Sequence, residues 1–158
     1  MRASPPRVAA VAALGLLAAC QNSPRPVTSE PTGFLAKTLT VGSHEHRYVV
    51  YVPPGYTKGK PWPLIVFLNG MGECGTDGQK HVEVGLGPAI KKQPERWPFV
   101  VVFPQEPDKP SQWVDHEALV MGVLAATERD FAIDGKRRFL TGLSQGGAGT
   151  WALGSKHK

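Results

Sequence analysis

A single serine lies in a pattern that suits nucleophilic catalysis. Ser144 is the centre of Gly142-Leu143-Ser144-Gln145-Gly146, which places a glycine two residues away on each side. This spacing is found where a strand turns sharply into a helix and presents the serine hydroxyl to a reacting carbonyl. Because the chain contains 18 glycines, the spacing also arises by chance, and the neighbouring elements decide its meaning.

The segments on either side of Ser144 have the character that such a turn requires. Residues 137–142 predict a short strand that ends at the motif, and the small residues of 144–155 predict a helix that packs closely. Two continuous apolar runs, 63–70 and 99–105, are typical of strands buried on both faces of a parallel sheet. The remaining predicted elements are a hairpin and two helices (85–93 and 115–133). The hairpin has a first strand over 34–41, a connection over 42–45, and a second strand within 46–56 that Pro53-Pro54-Gly55 ends.

This order of elements predicts an α/β fold. We expect a mostly parallel sheet with an N-terminal antiparallel hairpin, flanked by helices. Ligands bind such sheets at the carboxyl ends of the strands, where both Ser144 and the glycine-rich segment 68–78 lie. A tetrahedral intermediate needs N–H donors already in place. Segment 68–78 is therefore either a loop that supplies such donors or an ordinary glycine-rich turn.

Five segments together resemble the α/β-hydrolase superfamily: YVPPGY, PWPLIVFLNGMGECGTDG, FVVVFPQ, SQW and RRFLTGLSQGG. The narrower resemblance is to its carboxylesterase and polyhydroxybutyrate-depolymerase-like branch, which overlaps with dienelactone hydrolase and prolyl-oligopeptidase-like proteins. It extends from about residue 36 to 155. The resemblance implies that Ser144 is the nucleophile and that the N–H of Gln145 is one oxyanion donor. The other donor comes from the loop after the third strand, which points to the N–H of Met71.

Two further residues are candidates for the substrate cleft. Asn69 occupies the position where this branch usually has the histidine of a His-Gly pair, a change that a backbone donor should tolerate. Trp113, in the segment SQWVD, matches a tryptophan that is common near the cleft of this branch. A half-buried packing role for Trp113 is an equal alternative.

The acid and the histidine that complete the triad of this superfamily do not follow Ser144. Only 14 residues follow it, none is acidic, and His157 lies about 20 Å along a continuous helix. The resemblance assigns the role of base to none of the four upstream histidines, which are His44, His46, His81 and His116. We therefore expect the N-terminal portion of a longer, C-terminally truncated hydrolase, nearly inactive by itself.

The first residues differ in character from the rest. Arg2 and Arg7 precede an apolar run that is short for a membrane span and ends in Leu-Ala-Ala-Cys20, which resembles the bacterial lipobox. An ordinary signal peptide and a buried apolar helix are the alternatives. The predicted organisation is a lipoprotein signal peptide (1–19), a flexible tether (20–33) and a partial hydrolase domain (34–158). With lipidation at Cys20 and no Asp after it, we expect an outer-membrane anchor that faces the periplasm.

Composition narrows the remaining function classes. The formal net charge is +5 without any Lys/Arg-rich run, which argues against nucleic-acid binding. The sequence contains no metal-ligand cluster and no nucleotide-binding loop, so we expect no metal and no cofactor. Cys74 is interpreted as a small packed residue.

The preferred function is hydrolysis of a small carboxylic ester. A serine peptidase of the prolyl-oligopeptidase type and a non-catalytic envelope lipoprotein are the alternatives. The sequence does not indicate an oligomeric state.

Overall fold

The computed structural model describes residues 30–157. The predicted signal peptide, Cys20 and most of the tether lie outside these residues. The described part contains five strands and three α-helices, with three short 3₁₀ turns between them. The strands are β1 (Gly33–Val41), β2 (His44–Val52), β3 (Trp62–Leu68), β4 (Val100–Pro104) and β5 (Ile133–Gly142), and the helices are α1 (Leu86–Lys92), α2 (Glu117–Asp130) and α3 (Gln145–Lys156).

The strands form one sheet in the order β1-β2-β4-β3-β5. The hairpin β1–β2 is antiparallel, and β2 also pairs antiparallel with β4. Strands β4, β3 and β5 are parallel to one another, so their carboxyl ends meet at one edge of the sheet. The predicted α/β class with an N-terminal antiparallel hairpin is confirmed.

Strands β3 and β4 are buried along their whole length because apolar layers cover both faces of the sheet. On one face, residues of α2 and α3 pack on alternate side chains of the central strands, with Trp113 and Val123 among the buried residues. On the other face, Ile90 of α1 packs with Phe67 and Phe103. This two-sided burial explains why both strands have continuous apolar sequences.

Most element boundaries lie within two residues of the predictions, and the larger or more informative differences are at the hairpin turn, the end of α2 and the start of β5. The hairpin turn consists of Gly42 and Ser43 alone, and Gly42 has a φ of 61°, so β2 begins at His44, two residues earlier than predicted. Helix α2 ends at Asp130 because Phe131 has extended backbone angles. Strand β5 begins at Ile133, four residues earlier than predicted. Its first part is polar and largely exposed, which hides the strand from a search for apolar runs.

Strand β5 is the last strand on its side of the sheet in the described part of the chain. Its Phe139 side chain and the Trp151 side chain of α3 are 51% and 84% exposed. Among residues 30–157, no helix combines the length and the apolar character needed to cross a membrane.

Candidate active site

Ser144 lies in a strained turn between β5 and α3. Its backbone angles are φ 53° and ψ −116°, and it is the only non-glycine residue with positive φ in the described part of the chain. Such a conformation costs about 1–3 kcal/mol and persists where the surrounding structure enforces it. The residue is exposed at the carboxyl end of the parallel strands. The turn predicted from the Gly-x-Ser-x-Gly spacing is therefore present.

The two flanking glycines make this turn sterically possible. A Cβ atom at Gly146 would overlap the carbonyl oxygen of Leu68 and lie 2.7 Å from the carbonyl oxygen of Asn69. A Cβ atom at Gly142 would collide with the backbone of Gly146 and lie 2.8 Å from the same Leu68 oxygen. The start of α3 thus rests directly on the end of β3, which only glycine permits.

The glycine-rich loop after β3 lies against Ser144. A Cβ atom at Gly70 would be 3.4 Å from Ser144 Cβ and 3.3 Å from the Leu143 carbonyl oxygen, so Gly70 lies beside the turn. Residues Met71–Glu73 form a 3₁₀ turn, and Glu73 Oε2 accepts a hydrogen bond of 3.0 Å from the Gly70 N–H. This carboxylate therefore fixes the backbone where the loop leaves the strand.

The two predicted oxyanion donors have no competing acceptor. Within residues 30–157, neither the Met71 N–H nor the Gln145 N–H donates a hydrogen bond to a backbone oxygen. Gln145 is the first residue of α3, whose aligned peptide dipoles favour negative charge at this end. Gln145 follows Ser144 directly in the sequence. Met71 follows Gly70, which lies beside Ser144. Their joint action on an oxyanion stays a prediction.

Asn69 and Trp113 are both fully buried, so neither side chain is exposed at the surface near Ser144. Trp113 Nε1 donates a hydrogen bond of 2.9 Å to the Asn69 carbonyl oxygen. Asn69 Nδ2 donates to the Gly70 carbonyl oxygen at 2.8 Å. Of the two interpretations of Trp113, the packing role fits this burial. Contact of either side chain with a substrate stays a prediction.

One buried residue of the site was not found by sequence reasoning. Glu106 lies two residues after the end of β4, has no exposed surface, and accepts a hydrogen bond of 3.0 Å from Gln145 Nε2. Burial raises the pKa of its carboxyl group. The available signal was the polar pair Gln105-Glu106 at the carboxyl end of an apolar strand, where ligands of α/β sheets bind.

Cys74 is a poor nucleophile in this setting. Its thiol is buried, and it lies 3.5 Å from Glu106 Oε2. Burial, followed by the nearby Glu106 carboxylate, raises the thiol pKa to about 11. Since the thiolate is the reactive form, this environment supports the packing role predicted for Cys74.

None of the described histidines forms a hydrogen bond with the Ser144 side chain. His81 is buried, and its Nε2 lies 2.9 Å from the Phe103 carbonyl oxygen. Burial lowers its pKa to about 4. Three others bond elsewhere: His44 with Ser43, His116 with Ser111 and His157 with Glu117. Residues 30–157 therefore supply no histidine bonded to Ser144. For His157 this agrees with the distance along the helix predicted from the sequence.

The described residues contain no group of three or more histidine, cysteine or acidic side chains arranged to hold a metal ion. The polar groups around Ser144 are its own hydroxyl, two backbone N–H groups and a buried network of polar side chains.

Comparison with solved structures identifies similar folds. A thermostable esterase is 32% identical, with a TM-score of 0.68, over 78% of this chain and 38% of that protein. A ferulic acid esterase is 19% identical, with a TM-score of 0.64, over 78% of this chain and 55% of that protein. An S-formylglutathione hydrolase from Agrobacterium tumefaciens is 19% identical, with a TM-score of 0.55, over 78% of this chain and 52% of that protein.

No protein-family model and no curated protein matches the chain. The chain spans about 38% to 55% of the length of the three solved structures compared above. The similarity covers 78% of this chain in each of the three comparisons. The chain therefore has the α/β-hydrolase fold that these esterases share.

Proposed function

We propose that the protein is a serine hydrolase that cleaves carboxylic esters through an acyl-enzyme on Ser144. The observation that carries the proposal is the positive φ of an exposed serine between strand β5 and helix α3. A positive φ is strained for a residue with a Cβ atom, and strain of this kind clusters at sites that hold a reacting group. The similarity to esterase structures supports the same chemistry.

The proposed reaction has two steps. Ser144 Oγ attacks the ester carbonyl carbon while its proton passes to a base, and the N–H groups of Met71 and Gln145 stabilise the resulting oxyanion. The tetrahedral intermediate collapses, and the alcohol leaves with a proton. Water then attacks the acyl-enzyme, which releases the carboxylic acid and restores the Ser144 hydroxyl.

We propose that the base and its acidic partner come from residues outside 30–157. Four of the five described histidines form hydrogen bonds with other groups, among them His157 with Glu117 at 2.9 Å, and the fifth, His46, forms none with Ser144. On this proposal, the 158-residue chain alone binds an ester but turns it over very slowly.

The surface around Ser144 favours a substrate with an apolar portion. Met71 is 51% exposed and Leu143 is 43% exposed, and both are adjacent in sequence to residues that form the turn or touch it. Burial of one such side chain against an acyl or alcohol group contributes about 1–2 kcal/mol.

The test is hydrolysis of a short-chain p-nitrophenyl ester by the 158-residue chain and by the longest protein encoded in the same reading frame. We expect turnover only by the longer protein, and its loss in Ser144→Ala. Ser43→Ala, at the exposed hairpin turn, is the matched control and should retain full activity. Rapid turnover by the short chain that depends on Ser144 would overturn the proposed origin of the base, and undiminished turnover by Ser144→Ala would overturn the nucleophile.

A peptide amide assayed beside the ester separates the two hydrolase alternatives. Faster cleavage of the amide would favour a peptidase. Absence of turnover on both substrates, together with no covalent labelling of Ser144 by a fluorophosphonate, would favour the non-catalytic lipoprotein.

A further inference from the structure

Glu106 is a buried acid without a cationic partner. Its side chain has no exposed surface, and no Lys or Arg among residues 30–157 forms an ion pair with it. Burial of an unpaired carboxyl group is unfavourable unless hydrogen bonds compensate for the lost water. Three donors do so: Gln145 Nε2 at 3.0 Å, Ser111 Oγ at 3.3 Å and Cys74 Sγ at 3.5 Å.

These three donors belong to three different segments of the site. Gln145 begins α3 directly after the nucleophile, Cys74 closes the 3₁₀ turn that carries Met71, and Ser111 lies in the loop before α2. A single carboxyl group therefore joins the two segments that carry the oxyanion donors.

The backbone of Glu106 holds the same loop at both of its ends. Its N–H donates to Asn69 Oδ1 at 3.1 Å, and its carbonyl oxygen accepts from the Gly75 N–H at 2.8 Å. Residues 69–75 are thus fixed to residue 106 at their first and last positions.

The side chain of Gln145 completes the connection. Its Nε2 donates to Glu106 Oε1 at 3.0 Å and to the Ser111 carbonyl oxygen at 2.6 Å, which uses both amide hydrogens. These two hydrogen bonds hold the Gln145 side chain in place. The Ser144–Gln145 peptide, which carries one predicted oxyanion donor, therefore keeps a fixed orientation.

We infer that Glu106 is a positioning residue, which holds the N–H groups of Gln145 and Met71 in a fixed relation to each other around the carbonyl oxygen of an ester. This inference rests on the proposed function for its catalytic meaning, but the positioning itself is a property of the folded chain. It predicts that changes at Glu106 affect stabilisation of the tetrahedral intermediate more than binding of the ground-state ester.

The kinetic test compares Glu106→Ala with Glu106→Gln in the ester-hydrolysing protein. Alanine removes all three acceptor contacts, whereas glutamine keeps an oxygen for Gln145 and Ser111. Removal of one oxyanion donor lowers kcat by about 10²–10³-fold, so we expect Glu106→Ala to lower kcat by about 10²-fold with KM changed less than about threefold. Glu106→Gln should restore most of kcat. Affinity for an alkylboronic acid, which forms a tetrahedral adduct, should fall in parallel with kcat.

Two further variants separate positioning from loss of stability. Thr127→Val breaks a buried hydrogen bond of 2.8 Å within α2 and should leave kcat unchanged. Gln145→Met removes the amide that Glu106 holds, so the double variant with Glu106→Ala should lose no more activity than the worse single variant. Additive losses, or a kcat of Glu106→Ala within threefold of the parent, would overturn the inference.

A measurement on the 158-residue chain keeps the inference testable without activity. Amide hydrogen exchange in Glu106→Ala should accelerate in 70–75 and 144–146 together, while exchange in β1 and β2 stays unchanged. Acceleration spread over the whole sheet would show a purely structural role and would overturn the inference. If Ser144→Ala retained esterase activity while this local acceleration was observed, the proposed function would fail and the positioning would stand.

Discussion

Acidification should destabilise the protein through His81. This side chain is 1% exposed, its Nε2 lies 2.9 Å from the Phe103 carbonyl oxygen, and its Nδ1 has no partner in the described residues. Protonation would bury a charge whose second N–H has no acceptor. Burial therefore lowers the His81 pKa from 6.5 to about 4, against a smaller opposing effect of the Phe103 hydrogen bond and of Asp77.

The sign and the size of the effect follow from linkage. The native state binds the His81 proton less well than the unfolded chain, so this stability is complete above about pH 6.5 and is lost as the pH falls towards 4. A difference of about 2.5 pKa units corresponds to about 2 kcal/mol lost by pH 5 and about 3 kcal/mol by pH 4. That is a large share of the stability of an ordinary domain.

The assay is urea unfolding followed by tryptophan fluorescence at pH 7, 6, 5 and 4.5. The comparison variant is His81→Gln, whose amide can still donate to the Phe103 carbonyl oxygen but does not titrate. We expect the free energy of unfolding of the parent to fall more steeply with acid than that of the variant. Glu106 works in the opposite direction because burial raises its pKa, but it is present in both proteins and cancels in the difference. Parallel curves would refute the reasoning.

Three further perturbations give distinct outcomes. Gly146→Ala places a Cβ against the Leu68 carbonyl, so it should lower the melting temperature and reduce the ester turnover by about 10²-fold. Its control, Gly154→Ala, has open space at the new Cβ and should leave the melting temperature unchanged or raise it. Ser144→Gly should abolish turnover and raise the free energy of unfolding, measured in urea, by about 1–2 kcal/mol because glycine accepts the positive φ. Cys20→Ser should abolish incorporation of labelled palmitate and release the protein from the membrane fraction; retention of the label would contradict the proposed anchor.

The sequence was most informative where one segment carries the whole signal. Strands β3 and β4 are buried on both faces, and two-sided burial leaves a continuous apolar run that needs no partner to be recognised. The turn at Ser144 was equally accessible because steric overlap across a few residues demands glycine at fixed spacing. Strand β5 was found only in its second half, since its first residues are polar and exposed.

The polar network behind the turn could not be predicted in the same way. The hydrogen bond from Gln145 to Glu106 joins residues 39 positions apart, and the one from Trp113 to Asn69 joins residues 44 apart. Loops that follow different strands meet only after the sheet has formed, so no local spacing reveals the contact. Glu106 lies two residues beyond Pro104, the end of β4, and in sequence it resembles an ordinary surface glutamate. Only the folded structure shows that it is buried.

The strand order also constrains how the chain assembles. Strand β4 lies between β2 and β3, so β3 cannot join the hairpin until residues 100–104 have paired with β2. Until then the apolar segment of β3, which is buried along its whole length in the folded protein, has no neighbour on the hairpin side. An apolar, β-prone segment without a partner is an aggregation hazard, so variants that weaken the pairing of β4 with β2 should lower the soluble yield.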